Sequence, residues 1–407
     1  MKVSVIGLGY IGLPTALMLA SNNISVVGVD HNEMLVTTLQ QGETTFKEDG
    51  LDILYKKACD KGIKFTTEYP STGFYIIAVP TPYDKLSKKT DPNYVINAVK
   101  DVIKVCEKGA IVVIESTISP GTIDRFIRPV IKESGLVAGE DLHIVHAPER
   151  IIPGNMIYEL EHNSRVIGAD KAEIGERVKA VYSSFCKGDI IVTDIRTAEM
   201  SKVVENTFRD INIAFANELA KICRQDNMDV YEIIRIANMH PRVNILQPGP
   251  GVGGHCISVD PWFLVGDYPG LANLIRHARL INDSMPEFVL KRIHDIMQEN
   301  GIKDASRVGL YGLTYKENVD DTRESPTLQL LDQVSVHLGN PLKVYDPMIN
   351  DDIVAEQYHD FDLFLNDVDI VAIMVAHRQI IENFDKLSGK IVLDTRNVCK
   401  LPGVYKL

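Results

Sequence analysis

The glycine-rich segment near the N-terminus constrains the fold more than any other part of the sequence. A β-branched run, Lys2–Ile6, leads directly into a glycine-rich turn that opens a helical pattern, Gly7-Leu8-Gly9-Tyr10-Ile11-Gly12. A second β-branched run ends in Asp30, 18 residues after Gly12. A strand, a glycine-rich turn, a helix and a strand that ends in an acidic residue form the fingerprint of a dinucleotide-binding Rossmann unit.

The acidic residue indicates which dinucleotide is bound. Glycines allow a tight turn and a close approach of the backbone to a pyrophosphate at the helix N-terminus. Asp30 would accept hydrogen bonds from the adenosine ribose and would repel a 2′-phosphate, which predicts NAD rather than NADP. Thr81 and Thr117 follow later strands and are expected near the cofactor, although threonine also suits ordinary turns. The alternative is an α/β domain that uses its glycines only for packing.

The alternation of short β-branched runs with helical patterns predicts an α/β fold. Candidate strands in the first half are Lys2–Ile6, Ser25–Val29, Phe74–Ala78, Ala110–Glu115 and Leu142–His146. The segments between them are long enough for crossover helices, which predicts a parallel, doubly wound sheet. The same rhythm returns later, with strands expected at Arg307–Tyr311, Leu342–Tyr345, Ile370–Val375 and Lys390–Leu393. We therefore expect two Rossmann-like doubly wound domains.

A stretch without glycine or proline, from Asp189 to His240, separates the two α/β regions. Its composition favours one long helix followed by a shorter one. Apolar residues at helical spacing are expected to form a buried stripe along the long helix: Val203, Phe208, Ile211, Phe215, Leu219 and Ile222. The predicted domains are residues 1–190, a central helical domain over 191–285 that is also a candidate dimer element, and residues 286–407.

Composition and charge restrict the partners and the compartment. The chain of 407 residues is 45% hydrophobic and 24% charged, as expected of a soluble globular protein, and its net charge is −12. That charge argues against nucleic acid or an anionic membrane as a partner, but a few well-placed cations can still bind an anionic ligand. The six cysteines are scattered without a C-x-x-C pair, which indicates a reduced, cytoplasmic protein. No metal centre is expected.

A second glycine-rich loop carries the candidate nucleophile. Residues 248–254 consist mostly of glycine and proline, and His255, Cys256 and Asp260 follow them. Exposed backbone amides in such a loop suit a phosphate or a sugar hydroxyl, and a thiol beside it is a candidate nucleophile. Other cysteines are expected to be buried and inert, namely Cys59, Cys106, Cys186 and Cys223.

A polar face of the predicted long helix is a second candidate for the chemical site. Lys202, Asn206 and Arg209 lie at positions i, i+4 and i+7 and therefore share one face. The alternative is a solvated polar stripe, which is the better interpretation of these three residues when they are considered alone.

Several motifs together identify a family. They are GLGYIGLP, AVPTP, ESTISPGT, HAPER, AEMSKVVENTFRDINIAFANEL, GVGGHCISVD and GLTYKENVDDTRESP, in this order along the chain. With these motifs the sequence resembles the UDP-glucose/GDP-mannose dehydrogenase family over essentially its whole length. The resemblance implies an NAD-binding N-terminal domain, a nucleotide-binding C-terminal domain and a homodimer formed through the central helix, with Arg242 near the partner subunit.

The resemblance also implies an NAD-dependent, four-electron oxidation of a primary alcohol on a nucleotide-linked sugar. In the family's pattern Cys256 is the nucleophile, Lys202 the proton donor and acceptor, and Asn206 polarises the sugar oxygen. Asp260 and Thr117 match residues that orient the hydrolytic water, and Glu149 matches a general acid/base.

Further positions match the family's ligand contacts. Arg323 matches an arginine that closes over NAD from the C-terminal domain. The nucleotide-sugar contacts implied by position are Arg150, Ile151, Lys202, Asn206, Arg209, His240, Arg242, Gly253, Tyr315, Lys316 and Arg396.

The substrate implied by the resemblance is UDP-N-acetyl-D-mannosamine. Enzymes of the glucose type carry a lysine just before the aspartate that follows the cysteine, whereas this sequence has Val259 there. The surrounding segment is similar to the N-acetylhexosamine branch of the family. The alternatives are a UDP-N-acetylglucosamine 6-dehydrogenase, a two-electron hydroxy-acid dehydrogenase and a non-catalytic NAD-binding protein.

Overall fold

The computed structural model of the protein describes residues 1–84, 86–337 and 341–407. It divides into two compact units, Met1–Glu205 and Asn206–Leu407. Helix α8 (Ile195–Gln225) carries the boundary between them.

Unit 1 is built on an eight-stranded sheet, in the order β3-β2-β1-β4-β5-β6-β7-β8. Its strands are β1 Lys2–Ile6, β2 Ser25–Val29, β3 Lys64–Thr66, β4 Phe74–Ile77, β5 Ala110–Ile114, β6 Leu142–His146, β7 Arg165–Ala169 and β8 Ile190–Thr193. All neighbouring strands are parallel except β6 and β7. The helices that precede α8 are α1 Gly12–Ser21, α2 Glu33–Gln40, α3 Leu51–Asp60, α4 Asn93–Val105, α5 Arg128–Glu133, α6 Met156–His162 and α7 Ala172–Tyr182, with a π-helical turn at Ile123–Ile127.

The central strands of this sheet are apolar because both of their faces are covered. On β5, Ile111 and Val113 belong to one hydrophobic cluster, whereas Val112 and Ile114 belong to the cluster on the opposite face. A parallel strand buried on both sides is expected to be a continuous apolar run rather than an alternating one. The five strands predicted in this half are confirmed to within one residue at each end.

Unit 2 contains a six-stranded, wholly parallel sheet, in the order β11-β10-β9-β12-β13-β14. Its strands are β9 Val308–Tyr311, β10 Lys343–Tyr345, β11 Gln357–Tyr358, β12 Ile370–Ile373, β13 Ile391–Asp394 and β14 Tyr405–Lys406. Its helices are α9 Val230–Ala237, α10 Asp260–Asp267, α11 Asn273–Asp283, α12 Met285–Glu299, α13 Pro326–His337, α14 Phe361–Asp367 and α15 Arg378–Glu382, with 3₁₀ turns at Ala305–Arg307 and Phe384–Leu387. This strand order repeats that of the first six strands of unit 1, and it confirms the prediction of two doubly wound domains and a helical region between them.

The long helix is confirmed, but its predicted buried stripe is confirmed only in part. Val203 is buried, whereas Phe208, Phe215 and Ile222 are 66%, 49% and 51% exposed. Alanine and polar side chains occupy much of the buried surface of α8, including Ala214, Ala216, Ala220, Asp210 and Asn217. Hydropathy alone therefore predicted burial for three side chains that the structure leaves exposed.

Candidate functional site

The glycine-rich turn after β1 has the geometry of a dinucleotide-binding turn. Gly7 has a φ of +88°, and a Cβ atom there would lie 2.5 Å from the Ala78 carbonyl oxygen. A Cβ atom on Gly12 would lie 1.8 Å from the Gly7 carbonyl oxygen, so both glycines are required by close packing. Beside Gly9, no atom of the described residues other than its chain neighbours lies within 4 Å of such a Cβ position. The backbone at Gly9 is therefore open to a ligand at the N-terminus of α1, which fits a pyrophosphate group.

Asp30 lies directly after β2, beside this turn. Its Oδ2 atom accepts the Leu8 N–H at 2.8 Å, and its Oδ1 atom accepts the Asn32 N–H at 2.9 Å. These bonds hold the half-buried carboxylate at the edge of the sheet, and each oxygen keeps a second lone pair for a ligand hydroxyl. The residues present therefore fit the adenosine ribose of NAD.

The remaining predicted cofactor residues of unit 1 surround the ends of the strands. The Tyr10 ring packs on the Phe46 ring, with 4.4 Å between the ring centroids, and Ile11 packs against the hydrophobic core. Thr81, in the loop after β4, is buried, and Thr117, in the loop after β5, is half-buried.

Glu149 lies in a buried cluster of charged groups that sequence reasoning did not identify. Its Oε2 atom accepts a short hydrogen bond from Arg165, and its Oε1 atom accepts the Arg150 N–H at 2.6 Å. Arg165 also reaches Glu115 at 3.5 Å, and the Tyr182 hydroxyl donates to Glu115 at 3.0 Å. Burial, together with the Glu149 carboxylate, raises the pKa of Glu115 to about 7, although Arg165 opposes this shift. The signal in the sequence was an arginine in an otherwise apolar strand, β7.

The first turns of α8 supply buried polar groups to unit 1. Lys202 is 6% exposed. Glu199, which sequence reasoning also missed, accepts the backbone N–H groups of Gly121 at 2.5 Å and Ile123 at 3.0 Å. Arg150 forms an ion pair with Glu205 at 2.8 Å. The neighbouring residue Ile151 is buried.

In unit 2 the predicted nucleophile and its neighbours are held by α8 and α10. Cys256 is exposed, and its carbonyl oxygen accepts the Asp260 N–H at 2.8 Å at the start of α10. The Asp260 carboxylate is buried and accepts a hydrogen bond of 2.6 Å from the Asn206 side-chain amide. The structure therefore links Asn206, Asp260 and the Cys256 loop in one local network. Cys59 is also exposed, so the expectation that it is buried is wrong.

The loop that precedes Cys256 packs tightly on the segment that follows β9. A Cβ atom on Gly253 would lie 2.6 Å from the Tyr315 Cβ atom, and one on Gly254 would lie 2.8 Å from the Tyr315 ring. The Gly254 N–H donates to the Arg323 carbonyl oxygen at 2.8 Å, and the Arg323 guanidinium pairs with Asp321 at 2.6 Å. Burial, reinforced by the Arg323 charge, lowers the pKa of His255 and so favours the neutral imidazole. Gly253, Tyr315 and Arg323 are thus brought together with the cysteine loop.

The other predicted substrate residues of unit 2 are more dispersed. Arg209, His240 and Arg242 are exposed, and the Arg242 N–H donates to His240 Nδ1 at 3.3 Å within one turn. Arg396 is exposed near the same glycine-rich loop, since a Cβ atom on Gly249 would lie 2.9 Å from its guanidinium. Lys316 is half-buried, and its carbonyl oxygen accepts the Thr314 hydroxyl at 2.9 Å.

Neither a membrane-spanning helix nor a metal-binding cluster occurs among the described residues. No helix in residues 1–84, 86–337 and 341–407 is long and apolar enough to cross a membrane. The same part of the chain contains no group of three or more His, Cys, Asp or Glu residues that could hold a metal ion.

The chain is similar to known proteins over nearly its whole length. The UDP-N-acetyl-D-mannosamine dehydrogenase of Methanocaldococcus jannaschii is 42% identical, with 98% of this chain and 92% of that protein covered. The NDP-N-acetyl-D-galactosaminuronic acid dehydrogenase of Ralstonia nicotianae is also 42% identical, with 97% of this chain and 96% of that protein covered. The structure of a UDP-N-acetyl-mannosamine dehydrogenase from Staphylococcus aureus matches with a TM-score of 0.90 at 41% identity and covers 100% of this chain and 98% of that chain.

Three family models match consecutive parts of the sequence. Residues 1–186 match the NAD binding domain of the UDP-glucose/GDP-mannose dehydrogenase family, residues 196–284 its central domain, and residues 309–401 its UDP binding domain. The glycine-rich turn with Asp30 lies in the first of these ranges, and the Cys256 loop lies in the second. The chain therefore belongs to the UDP-glucose/GDP-mannose dehydrogenase family and is an oxidoreductase.

Proposed function

We propose that this protein oxidises UDP-N-acetyl-D-mannosamine to UDP-N-acetyl-D-mannosaminuronate with NAD as the electron acceptor. The observation that carries the proposal is the exposed Cys256 thiol, four residues before an Asp260 carboxylate that Asn206 holds in place, in a member of this family. We assign NAD binding to residues 1–190, the nucleophile to the central residues 191–285 and UDP binding to residues 286–407.

The cofactor specificity follows from Asp30. NAD, when bound, accepts the hydride that leaves the sugar carbon at each oxidation stage. The carboxylate of Asp30 offers acceptors to the ribose hydroxyls and repels a 2′-phosphate, which favours NAD over NADP. Gly9 leaves room for the pyrophosphate, and Thr81, Thr117 and Arg323 complete the proposed cofactor contacts.

The chemistry proposed for Cys256 accounts for a four-electron oxidation. The first stage removes a hydride from the C6 carbon and a proton from its hydroxyl, with Lys202 as the proton acceptor, and leaves an aldehyde. The Cys256 sulfur then adds to the aldehyde carbon to give a thiohemiacetal, so the reactive aldehyde remains bound. Loss of the second hydride gives a thioester, and water releases the carboxylate and restores the thiol.

The neighbouring polar groups have complementary roles in this proposal. Asn206 donates a hydrogen bond to the sugar oxygen and aligns Asp260, which orients the hydrolytic water together with Thr117. Glu149 is the general acid/base of the later steps. Oriented donors and acceptors of this kind typically contribute about 10²–10⁴-fold each to the rate.

The substrate assignment rests on the names of the similar proteins and on the positively charged side chains among the proposed contacts. Relatives named for UDP-N-acetyl-D-mannosamine and for NDP-N-acetyl-D-galactosaminuronic acid support an N-acetylated hexosamine as the sugar. The diphosphate of the nucleotide requires positive charge, which the proposed contacts provide despite the net charge of −12: Arg150, Lys202, Arg209, Arg242, Lys316 and Arg396. Ile151, His240, Gly253 and Tyr315 would contact the sugar or the uridine.

We further propose a cytoplasmic homodimer. Scattered cysteines are typical of a reducing compartment, and the structure contains exposed apolar side chains on α8 at Phe208, Phe215 and Ile222. A second copy of α8 is the proposed partner of these side chains, with Arg242 near the partner subunit.

The test is the yield of NADH for each UDP-sugar consumed, across a panel of UDP-N-acetylhexosamines. We expect two NADH for each UDP-N-acetyl-D-mannosamine, and a higher kcat/KM for it than for UDP-N-acetylglucosamine. One NADH would indicate a two-electron dehydrogenase, and none a non-catalytic protein. A preference for the glucosamine epimer would transfer the assignment to that substrate.

Substitution of the nucleophile provides the mechanistic test. Cys256→Ala is expected to reduce acid formation by more than about 10³-fold while NAD binding is retained, because only the later stages need the thiol. Cys59→Ala is the matched control, since Cys59 is also exposed but lies in unit 1 on α3. Undiminished acid production by Cys256→Ala would exclude the thioester mechanism.

A further inference from the structure

Two buried carboxylates in unit 1 share one arginine. Glu115, Glu149 and Arg165 are 1%, 6% and 4% exposed. Arg165 Nη2 donates to Glu149 Oε2 through a short hydrogen bond, and Nη1 donates to Glu115 Oε1 at 3.5 Å. Charged groups in a desolvated site need to be paired, and Arg165 is a cation that both carboxylates contact.

The arginine itself is held in one orientation. Its guanidinium lies over the Tyr182 ring at 4.6 Å and over the Phe185 ring at 5.2 Å from the ring centroids. The Tyr182 hydroxyl donates to Glu115, which connects the aromatic side of the cluster to the second carboxylate. Stacking against aromatic faces fixes the plane of a guanidinium and therefore the direction of its N–H groups.

The hold on Glu149 is directional. One of its oxygens faces Arg165 and the other accepts the Arg150 N–H at 2.6 Å, so the carboxylate plane is determined by two donors from different directions. A general acid/base must present a defined oxygen to its proton partner, and a misplacement of about 1 Å can reduce the rate about 10²-fold.

We propose that Arg165 is a positioning residue for the oxidation: it fixes the carboxylate of Glu149, and Glu115 weakens that hold by competing for the same guanidinium. The inference rests on the proposed function, in which Glu149 is a general acid/base. It adds two side chains, Arg165 and Glu115, to the groups on which the rate depends, although neither is assigned a contact with the substrate.

The competition depends on pH. Glu115 has a pKa of about 7, raised by burial and by Glu149 and lowered by Arg165 and Tyr182. Below this pH Glu115 is neutral, and the Arg165 guanidinium pairs mainly with the Glu149 carboxylate. Above it Glu115 is charged and competes with Glu149 for the same guanidinium. The titratable and charged groups that act on Glu115 are Glu149 after β6, Arg165 on β7 and Tyr182 on α7, and Cys186 also interacts with Arg165. The hold on Glu149 is therefore expected to weaken as the pH rises through about 7.

The experiment compares the full-length wild-type chain with Arg165→Lys and Glu115→Gln, using UDP-N-acetyl-D-mannosamine and NAD as substrates between pH 5.5 and 9. Lysine keeps the positive charge but lacks the two outer nitrogens of the guanidinium, one for each carboxylate. Arg165→Lys is therefore expected to reduce kcat about 10²-fold with little change in either KM. Glu115→Gln is expected to match wild type near pH 6, and the ratio of its kcat to the wild-type kcat should rise several-fold by pH 8.5. Arg128→Met removes a half-exposed arginine that pairs with Asp124 and Asp170, and serves as a control.

The outcomes separate this inference from the function on which it rests. A wild-type kcat in Arg165→Lys, or a Glu115→Gln to wild-type ratio that is constant with pH, would overturn the positioning role while the oxidation itself stands. A purely structural role would lower the thermal midpoint without changing the shape of the pH profile, which also overturns it. If Arg165→Lys does not fold, the pH dependence of the near-isosteric Glu115→Gln decides the question. Absence of NADH formation by the wild-type chain would overturn the proposed function and this inference with it.

Discussion

At the scale of single residues, two aspartates in equivalent places of the two sheets have different surroundings. Asp30 follows β2 and Asp346 follows β10, the second strand of each Rossmann-like fold. Asp346 is 2% exposed, and its two oxygens accept hydrogen bonds from three backbone N–H groups, at Leu313, Thr314 and Met348. Asp30 is half-buried and accepts two. Asp30 therefore retains capacity for a ligand hydroxyl, whereas Asp346 acts within the fold.

The first residue-scale prediction concerns Asp30. Asp30→Ala is expected to weaken NAD binding about tenfold and to reduce discrimination against NADP, because both the ribose acceptor and the negative charge are removed. Titration of the protein with each cofactor, followed by fluorescence or calorimetry, measures both effects. Asp60→Ala, at the exposed end of α3, is the matched control. An unchanged NAD to NADP ratio would contradict the assigned ribose contact.

The second residue-scale prediction concerns the pH dependence of stability. Glu115 has a pKa of about 7 in the folded state and an ordinary value of 4.5, so the folded protein binds this proton more tightly than the unfolded chain does. Its contribution to stability is therefore fully present below pH 4.5, declines between 4.5 and 7 and is lost above 7. At pH 5 the thermal midpoint of Glu115→Gln should be close to that of the wild type. At pH 8 it should lie about 2–4 °C above the wild-type midpoint. Thermal unfolding with Glu133→Gln as the surface control checks this, and equal shifts at both pH values would contradict it.

At the scale of elements, the sequence predicted the strands that are continuous apolar runs. It missed several strands that can be recognised only from the strands they pair with. β5, with all five residues buried, is apolar throughout and was predicted. Three of the missed strands are very short: β3 has three residues, and β11 and β14 have two each. A run of this length cannot show the alternation of apolar and polar residues that predicts a strand, so only pairing with an adjacent strand defines it. β7 has five buried residues, as β5 has, but it begins with Arg165 and pairs antiparallel with β6, which a repeating parallel pattern of apolar runs does not anticipate.

The long helix shows the opposite case, in which a strong apolar pattern predicted only part of the buried face. Its buried surface includes Asp210, which pairs with Arg279 at 2.5 Å, and Asn217, which bonds to Asn282 at 2.8 Å. Hydropathy places such residues on the outside, and only the partners supplied by α11 make their burial favourable. Asn206 was predicted as a site residue through its spacing, whereas its bond to Asp260 depends on chain folding that spacing does not encode.

The element-scale prediction concerns the hydrogen bonds that join Asp346, after β10, to the segment that follows β9. Asp346→Ala leaves the buried N–H groups of Leu313 and Thr314 without their acceptor and removes the partner of His377 at 3.2 Å. A loss of stability of about 3–5 kcal/mol is expected. The control is Asp369→Ala, since the Asp369–Arg307 pair is 44% and 38% exposed and is expected to contribute at most about 1 kcal/mol. Thermal or denaturant unfolding measures the difference, and equal effects would show that the buried network is not required.

At the scale of the whole molecule, the same order of six strands occurs in both units, and unit 1 adds further strands to it. Unit 1 extends the order with β7 and β8, whereas unit 2 stops at six strands. The first unit leaves its glycine-rich turn open at Gly9. In the second, Gly312 follows β9 as Gly7 follows β1, and both glycines are tightly packed, but the buried Thr314 stands at the position that corresponds to Gly9. The two units therefore share a strand order, while the open space beside the turn is seen in unit 1.

The last prediction concerns assembly through α8. Phe208, Phe215 and Ile222 are spaced seven residues apart and are half to two-thirds exposed, so they form an apolar stripe along one side of the helix. Stable dimers bury about 800 Å² on each partner, and paired aromatic side chains are typical of the centres of such interfaces. The double substitution Phe208→Glu and Phe215→Glu is expected to convert the proposed homodimer into a monomer, because four carboxylates would face each other without partners. Light scattering after size-exclusion chromatography measures the mass, and Leu363→Glu, on an equally exposed apolar residue of α14, is the control. A dimer that survives the double substitution would place the interface elsewhere on the protein.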